Sequence, residues 1–178
     1  MEITFFGAAQ EVTGSCHVVR VGGKSVALDF GMFQGHRAET HEKNQSLPFT
    51  PDQIDAVILS HAHIDHSGRL PLLARYGFDR PVYATPATRD LCAVMLADSA
   101  HIQEKDAEFL ARRRKSFVGP LYGQADVTRL MSRMISIPYN IASDNKQHSV
   151  SIQSLTIPAE YPLGRALVWP WGYSGLTG

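Results

Sequence analysis

Short runs rich in β-branched and aromatic residues, Ile3 to Phe6, His17 to Val21 and Ser25 to Leu28, are separated by Gly7, Gly14 and the pair Gly22-Gly23. Runs of that length punctuated by glycine predict three short strands in an antiparallel meander, so the first third of the chain is expected to be sheet. Asp55 to Ser60 carries a continuous apolar stretch instead of an alternating one, which predicts a strand buried on both faces. Between these runs, residues 31 to 53 hold Gly31, Gly35, Pro48, Pro51 and many polar side chains. They predict a long irregular connection, unusual enough in a compact domain to suggest a loop that lines a site.

The pattern then changes period. Arg69 to Tyr76 has helical spacing and stops at Gly77, and Pro81 to Ala84 reads as another short strand, giving a β-α-β passage. A longer helix is expected from Pro86, a residue suited to a first helical turn, with Leu91, Val94, Met95, Ile102 and Phe109 at roughly helical intervals. Its basic end, Arg112-Arg113-Arg114-Lys115, complements the carboxyl end of a helix dipole, a reading preferred over a phosphate contact. Gln124 to Met134 predicts a further helix, and Ile135 to Tyr139 and Ser149 to Ile157 predict strands. Residues 158 to 178 differ in character, with two tryptophans, three prolines, four glycines and a single acidic residue, Glu160.

Composition narrows the class. The 178 residues are 44% hydrophobic and 19% charged, ordinary globular usage that suits one domain with a core. The formal net charge is +0, so no global field draws the chain to nucleic acid or to an anionic membrane, and any such contact has to be local. Cys16 and Cys92 lie far apart without CxxC spacing, which argues against both a disulfide framework and a cysteine zinc site. No basic segment followed by an apolar one opens the chain, and no stretch approaches the ~18 apolar residues of a membrane span. A cytoplasmic protein with no membrane partner is expected.

The chemistry concentrates in His61-Ala62-His63-Ile64-Asp65-His66, directly after the buried strand. In an extended segment His61 and His63 point to the same side, Asp65 continues that face, and His66 opens a turn into the next helix. Imidazole and carboxylate together suit zinc and related first-row metals, and two such metals about 3.5 to 4 Å apart can hold a hydroxide between them. Asp29, at the end of the third strand, either accepts a hydrogen bond from a ligand histidine and sets its tautomer or simply forms a turn. His17, His36, His41, His101 and His148 have no such grouping, and Asp98 and His101, one turn apart, could pair. Serine nucleophile elbows, phosphate-cradling loops and dinucleotide fingerprints are absent.

The run HAHIDH resembles the metal motif of the metallo-β-lactamase superfamily. Val12-Thr13-Gly14-Ser15-Cys16-His17, the stretch Leu28 to Gly35 and the helix Asp98 to Ala107 look like its β-CASP branch of RNA-processing nucleases. The resemblance covers about residues 2 to 140. It implies an α/β fold, the amino-terminal half to two-thirds of a metallo-β-lactamase-type αββα sandwich, spanning residues 1–157. Residues 158–178 are then an aberrant tail, and the β-CASP domain is absent. It further implies a zinc-dependent hydrolase of RNA phosphodiesters. His61 and His63 would ligate one zinc and Asp65 and His66 the second, with Asp65 and Asp29 as the catalytic acids and a metal-bound hydroxide attacking phosphorus.

Tyr161 and Leu176 stand where the family places a later histidine and a bridging aspartate. The intact family site holds two zinc ions, and fewer are expected here, with activity weak or lost and the coding sequence truncated or frame-disturbed. Rival readings are a small-molecule metallo-hydrolase of thioesterase or lactonase type and a non-catalytic metal-binding fragment.

Overall fold

The structure, a computed structural model, describes residues 1–35, 37–112, 119–137, 149–152 and 155–158. Six strands form one sheet in the order β1 to β6: β1 Glu2–Gly7, β2 Cys16–Val21, β3 Lys24–Leu28, β4 Ala56–Ile58, β5 Val82–Ala84 and β6 Met134–Ser136. β1, β2 and β3 pair antiparallel, and β3 through β6 run parallel. Parallel neighbours need crossovers. These are supplied by helix α1 (Arg37–Gln45) between β3 and β4, by α2 (Ile64–Ser67) and α3 (Leu70–Arg75) between β4 and β5, and by α4 (Pro86–Arg112) and α5 (Gln124–Met131) between β5 and β6.

The two-residue period of the strands divides the core. Val18, Ala27, Val57 and Val82 are buried in one cluster together with Leu70, Leu73, Leu96 and Leu130 from the helices. Val19, Val26, Ala56, Ile58 and Tyr83 form a second buried cluster, as the alternate positions of the same strands must. β4 contributes to both, with Ala56, Val57 and Ile58 all buried, which is why its sequence shows no alternation. At the end of α3, Gly77 takes a φ of +94°, a left-handed conformation that stops the helix where the spacing predicts.

Three expectations need correction. Residues 31 to 53 are not irregular throughout. They contain α1 and a 3-10 turn at Pro51–Gln53, and α1 escapes a periodicity reading because its sequence, RAETHEKNQ, is polar on every face. On α4, most of the apolar residues expected at helical intervals lie off the packed face: Met95 packs against the core, but Leu91 is 49% and Val94 68% exposed, with Ile102 and Phe109 also exposed. The helix instead packs through Thr88, Cys92, Leu96, Ala100 and Ala107, mostly small side chains that allow close approach. The single strand expected over Ser149 to Ile157 is replaced by two, β7 Ser149–Ile152 and β8 Leu155–Pro158, paired antiparallel in a two-stranded sheet.

Arg113, Arg114 and Lys115 lie outside the described residues, as do residues 159–178 with Tyr161 and Leu176. Cys16 and Cys92 are free and buried, and burial pushes their thiols up to about 12 and about 11. Both are therefore poor nucleophiles and poor metal ligands. Among the described residues no helix is long and apolar enough to cross a membrane.

Candidate metal centre

The site lies beyond the carboxyl ends of the parallel neighbours β3 and β4, where open α/β sheets leave a crevice for ligands. Two backbone segments are laced together there. Phe30 N–H donates to the His66 carbonyl at 2.8 Å, Met32 N–H to Ile64 at 2.9 Å, and Ser15 N–H to Asp65 at 2.9 Å. Gly31 N–H donates in turn to Ser15 at 2.8 Å, and Gly31 lies so close to the Asp65 carbonyl that no side chain fits between them. This lacing fixes the backbone that carries Asp65 and His66.

His63 is the residue before the first turn of α2, and its carbonyl accepts from the N–H groups of His66 and Ser67, each at 2.9 Å. The hydroxyl of Ser67 closes the same turn by donating to Ala62 and His63 carbonyls at 2.8 and 3.1 Å. Asp65 therefore joins the cluster from within a short helix, not by continuing the extended face of His61 and His63. The ring of His61 stands 4.7 Å from that of His63 and 4.0 Å from that of His66, centroid to centroid. An Asp65 carboxylate oxygen lies 3.7 Å from Nε2 of His66.

Asp29 reaches this cluster because its backbone leaves β3 at a φ of +61°, a left-handed conformation that aspartate tolerates better than most residues. The residue is 6% exposed, and its carboxylate collects four donors. Ser60 N–H reaches Oδ1 at 2.8 Å, while Nδ1–H of His66 at 2.8 Å, the Ser60 hydroxyl at 2.9 Å and the Ser15 hydroxyl at 3.3 Å reach Oδ2. The hydrogen bond to Asp29, against the opposing effect of burial, holds the His66 imidazole above its usual range. Burial, reinforced by the neighbouring His66, pushes His61 below it.

With Nδ1 of His66 committed to Asp29, its Nε2 is the atom left for a ligand, on the same side as the Asp65 carboxylate. Three imidazoles and a carboxylate at this density are the donor chemistry of a zinc or related first-row site. Among the described residues, no group of three such side chains is yet arranged to hold a metal ion. The structure thus brings His61, His63, Asp65 and His66 together as neighbours, with Asp29 behind them, without forming a closed cage.

Ser60 and Ser15 were not singled out by sequence reasoning. A polar residue ending an otherwise apolar strand immediately before His61 was the available signal for Ser60. Of the other histidines, His17 packs edge-on to Phe5 at 5.0 Å, and its Nδ1 is buried with no hydrogen-bond partner among the described residues. His101 is exposed. His36 and His148 lie outside the described residues.

A profile of the Metallo-beta-lactamase superfamily matches residues 9–125, a span that contains every residue of this cluster. The chain is 40% identical over 139 residues to a ribonuclease of Thermus thermophilus, covering 78% of this chain and 28% of that protein. It is 33% identical over 152 residues to the transcription termination factor FttA of Thermococcus kodakarensis, covering 81% of this chain and 22% of the factor. The chain thus spans about a quarter of the length of these curated relatives. The crystal structure of the metallo-beta-lactamase fold protein YhfI from Bacillus subtilis aligns with 48% of this chain and 38% of its own, at 27% identity and a TM-score of 0.35.

Proposed function

This chain belongs to the metallo-beta-lactamase superfamily, and on that premise we propose that it is a zinc-dependent, β-CASP-type RNA-processing hydrolase whose metal centre is His61, His63, Asp65 and His66. The observation that supports the reading most directly is the packing of three histidine rings and a carboxylate at the end of β4, with Asp29 tied to one of them. The RNA substrate rests on the likeness to a ribonuclease and to a transcription termination factor. Zinc held there would supply an activated water and offset charge that builds up on a phosphodiester.

The chain's own residues have separate tasks. His61, His63, Asp65 and His66 donate ligand atoms. Asp29, buried behind them, touches no substrate. It acts by positioning, holding His66 so that Nε2 faces outward. With Tyr161 and Leu176 where a further histidine and a bridging aspartate are expected, fewer than two zinc ions per chain and slow cleavage follow. Tyr161 and Leu176 in place of the two later ligands favour one second reading, metal binding without cleavage.

Metal analysis by mass spectrometry, combined with a single-stranded RNA cleavage assay, decides between them. The expected result is zinc at less than two per chain, slow cleavage, and loss of both in His63→Ala and His66→Ala. Zinc without cleavage favours the second reading, and no zinc sinks both. Two tightly bound zinc ions would contradict the ligand count.

The Asp29→Asn variant is expected to stay folded at a cost of about 1–3 kcal/mol: asparagine also tolerates the left-handed backbone at this position, but one of the donors gathered on the buried carboxylate loses its acceptor. Its zinc affinity should nevertheless fall about 10- to 100-fold, since an amide places a donor against one of the donors the carboxylate now accepts. Chelator competition and urea unfolding measure the two quantities on the same protein. Unchanged zinc affinity would remove Asp29 from the centre.

A further inference from the structure

We propose that Ser60 is a positioning residue that carries the influence of Asp29 to a second histidine, so that one buried carboxylate presets the tautomers of both His61 and His66. The proposal rests on the metal-centre reading above but concerns the protein before any metal binds.

Proton accounting carries it. The Ser60 hydroxyl has one proton and two close neighbours, Oδ2 of Asp29 and Nδ1 of His61, each at 2.9 Å. A carboxylate only accepts hydrogen bonds, so if the hydroxyl proton pointed to His61, oxygen lone pairs of Ser60 and Asp29 would face each other at that distance. Directing the proton to Asp29 leaves the hydroxyl oxygen as an acceptor, and His61 satisfies it only by carrying its own proton on Nδ1. The Ser60 backbone N–H also donates to Oδ1 of Asp29 at 2.8 Å, so backbone and side chain of one residue grip both oxygens of the carboxylate and hold the hydroxyl in place.

His66 follows the same rule without an intermediary. Its Nδ1 is 2.8 Å from Asp29 and 3.5 Å from the Ser60 oxygen, so its proton goes to the carboxylate. Both rings then bear hydrogen on Nδ1 and present an unprotonated Nε2. Free imidazole in histidine distributes its proton between the two nitrogens, and each ring fixed in advance removes a cost from metal binding.

The test is nitrogen-15 NMR of histidine side chains in the metal-free full chain, at a pH raised until the His61 and His66 ring signals no longer change, so that both rings are neutral. In the wild type, His61 and His66 are both expected as the Nδ1–H tautomer. In Ser60→Ala, His66 should keep that tautomer, because its tie to Asp29 is direct, whereas His61 should become a mixture. Ser60→Thr retains the hydroxyl and should restore His61. Zinc affinity, measured separately by chelator competition, should fall about 10-fold in Ser60→Ala and recover in Ser60→Thr.

His61 as the Nε2–H tautomer in the wild type overturns the proposal even if no variant folds. So does a pure Nδ1–H tautomer of His61 in a folded Ser60→Ala protein. If the wild type shows both expected tautomers but binds no zinc, the metal-centre reading fails while the relay through Ser60 stands.

Discussion

Gly31→Ala is expected to unfold the protein or to reduce its stability by at least about 4 kcal/mol, a large share of the roughly 5–15 kcal/mol available to a domain. The cause is close approach. A β-carbon at Gly31 would collide with the carbonyl carbon and oxygen of Asp65 and meet the His66 nitrogen at 2.8 Å. All three are backbone atoms that cannot rotate away, and the segments on both sides are held by the bonds from Phe30 to His66 and from Met32 to Ile64. Relief would require the β3 loop to separate from α2, which also pulls Asp29 away from His66. Gly22→Ala is the control: its φ is +58° but nothing lies within 4 Å, so only the backbone penalty of about 1 kcal/mol applies. Urea midpoints of the two variants decide. A Gly31→Ala protein no less stable than Gly22→Ala would mean that the contact between these segments is not tight in solution.

The second large effect is expected at Arg69, a charged side chain only 1% exposed. Its guanidinium lies over the rings of Phe30 and Phe33, at 4.4 and 4.7 Å from their centroids. Its Nε–H donates to the Gly31 carbonyl at 2.6 Å, and Nη1–H groups donate to the carbonyls of Lys43 and Ser46 at 3.2 and 3.1 Å. Burial pushes the group down to about 10, still charged at neutral pH. One side chain thus joins the β3 loop to the end of α1.

Arg69→Ala should cost about 3–5 kcal/mol, because it leaves three backbone carbonyls without their donors and opens a cavity between two aromatic rings. Arg69→Lys separates charge from shape. A lysine ammonium is a point charge that cannot span carbonyls on opposite sides of a planar fork, so most of the loss, at least about 2 kcal/mol, should remain. Full recovery of the urea midpoint by lysine would show that charge alone matters there.

Much of the architecture was legible because its signals are local. The glycine-punctuated runs before residue 30 became the antiparallel strands β1 to β3, and the unbroken apolar stretch at Ala56–Ile58 became a strand buried on both faces. Gly77 marked the end of α3 because a left-handed residue there needs no tertiary explanation. Helix α1 was not legible, since a helix polar all round shows no stripe. The packed face of α4 was misread in part for a related reason: hydrophobic size favoured Leu91, Val94, Met95, Ile102 and Phe109, of which Met95 packs on the core, while the buried positions include Cys92, Leu96, Ala100 and Ala107. Which stripe is buried depends on how closely a helix must approach its neighbours, and a single sequence does not state that distance.

At the site the division follows the same line. The sequence by itself determined the identity and density of the donors, four potential ligands in the six residues His61 to His66, and the turn after a buried strand that displays them. It also placed Asp29 at a strand end, with turn formation and histidine contact as equal alternatives. Only the tertiary structure decided that both hold, since the φ of +61° that turns the chain also aims the carboxylate at His66, 37 residues away. Tertiary structure alone also placed Ser60 between that carboxylate and His61 and set Gly31 against Asp65. The physical reason is range: propensity and periodicity act over a few neighbouring residues, whereas a hydrogen bond or a steric limit between residues 30 or more positions apart exists only once the sheet has brought β3 and β4 side by side.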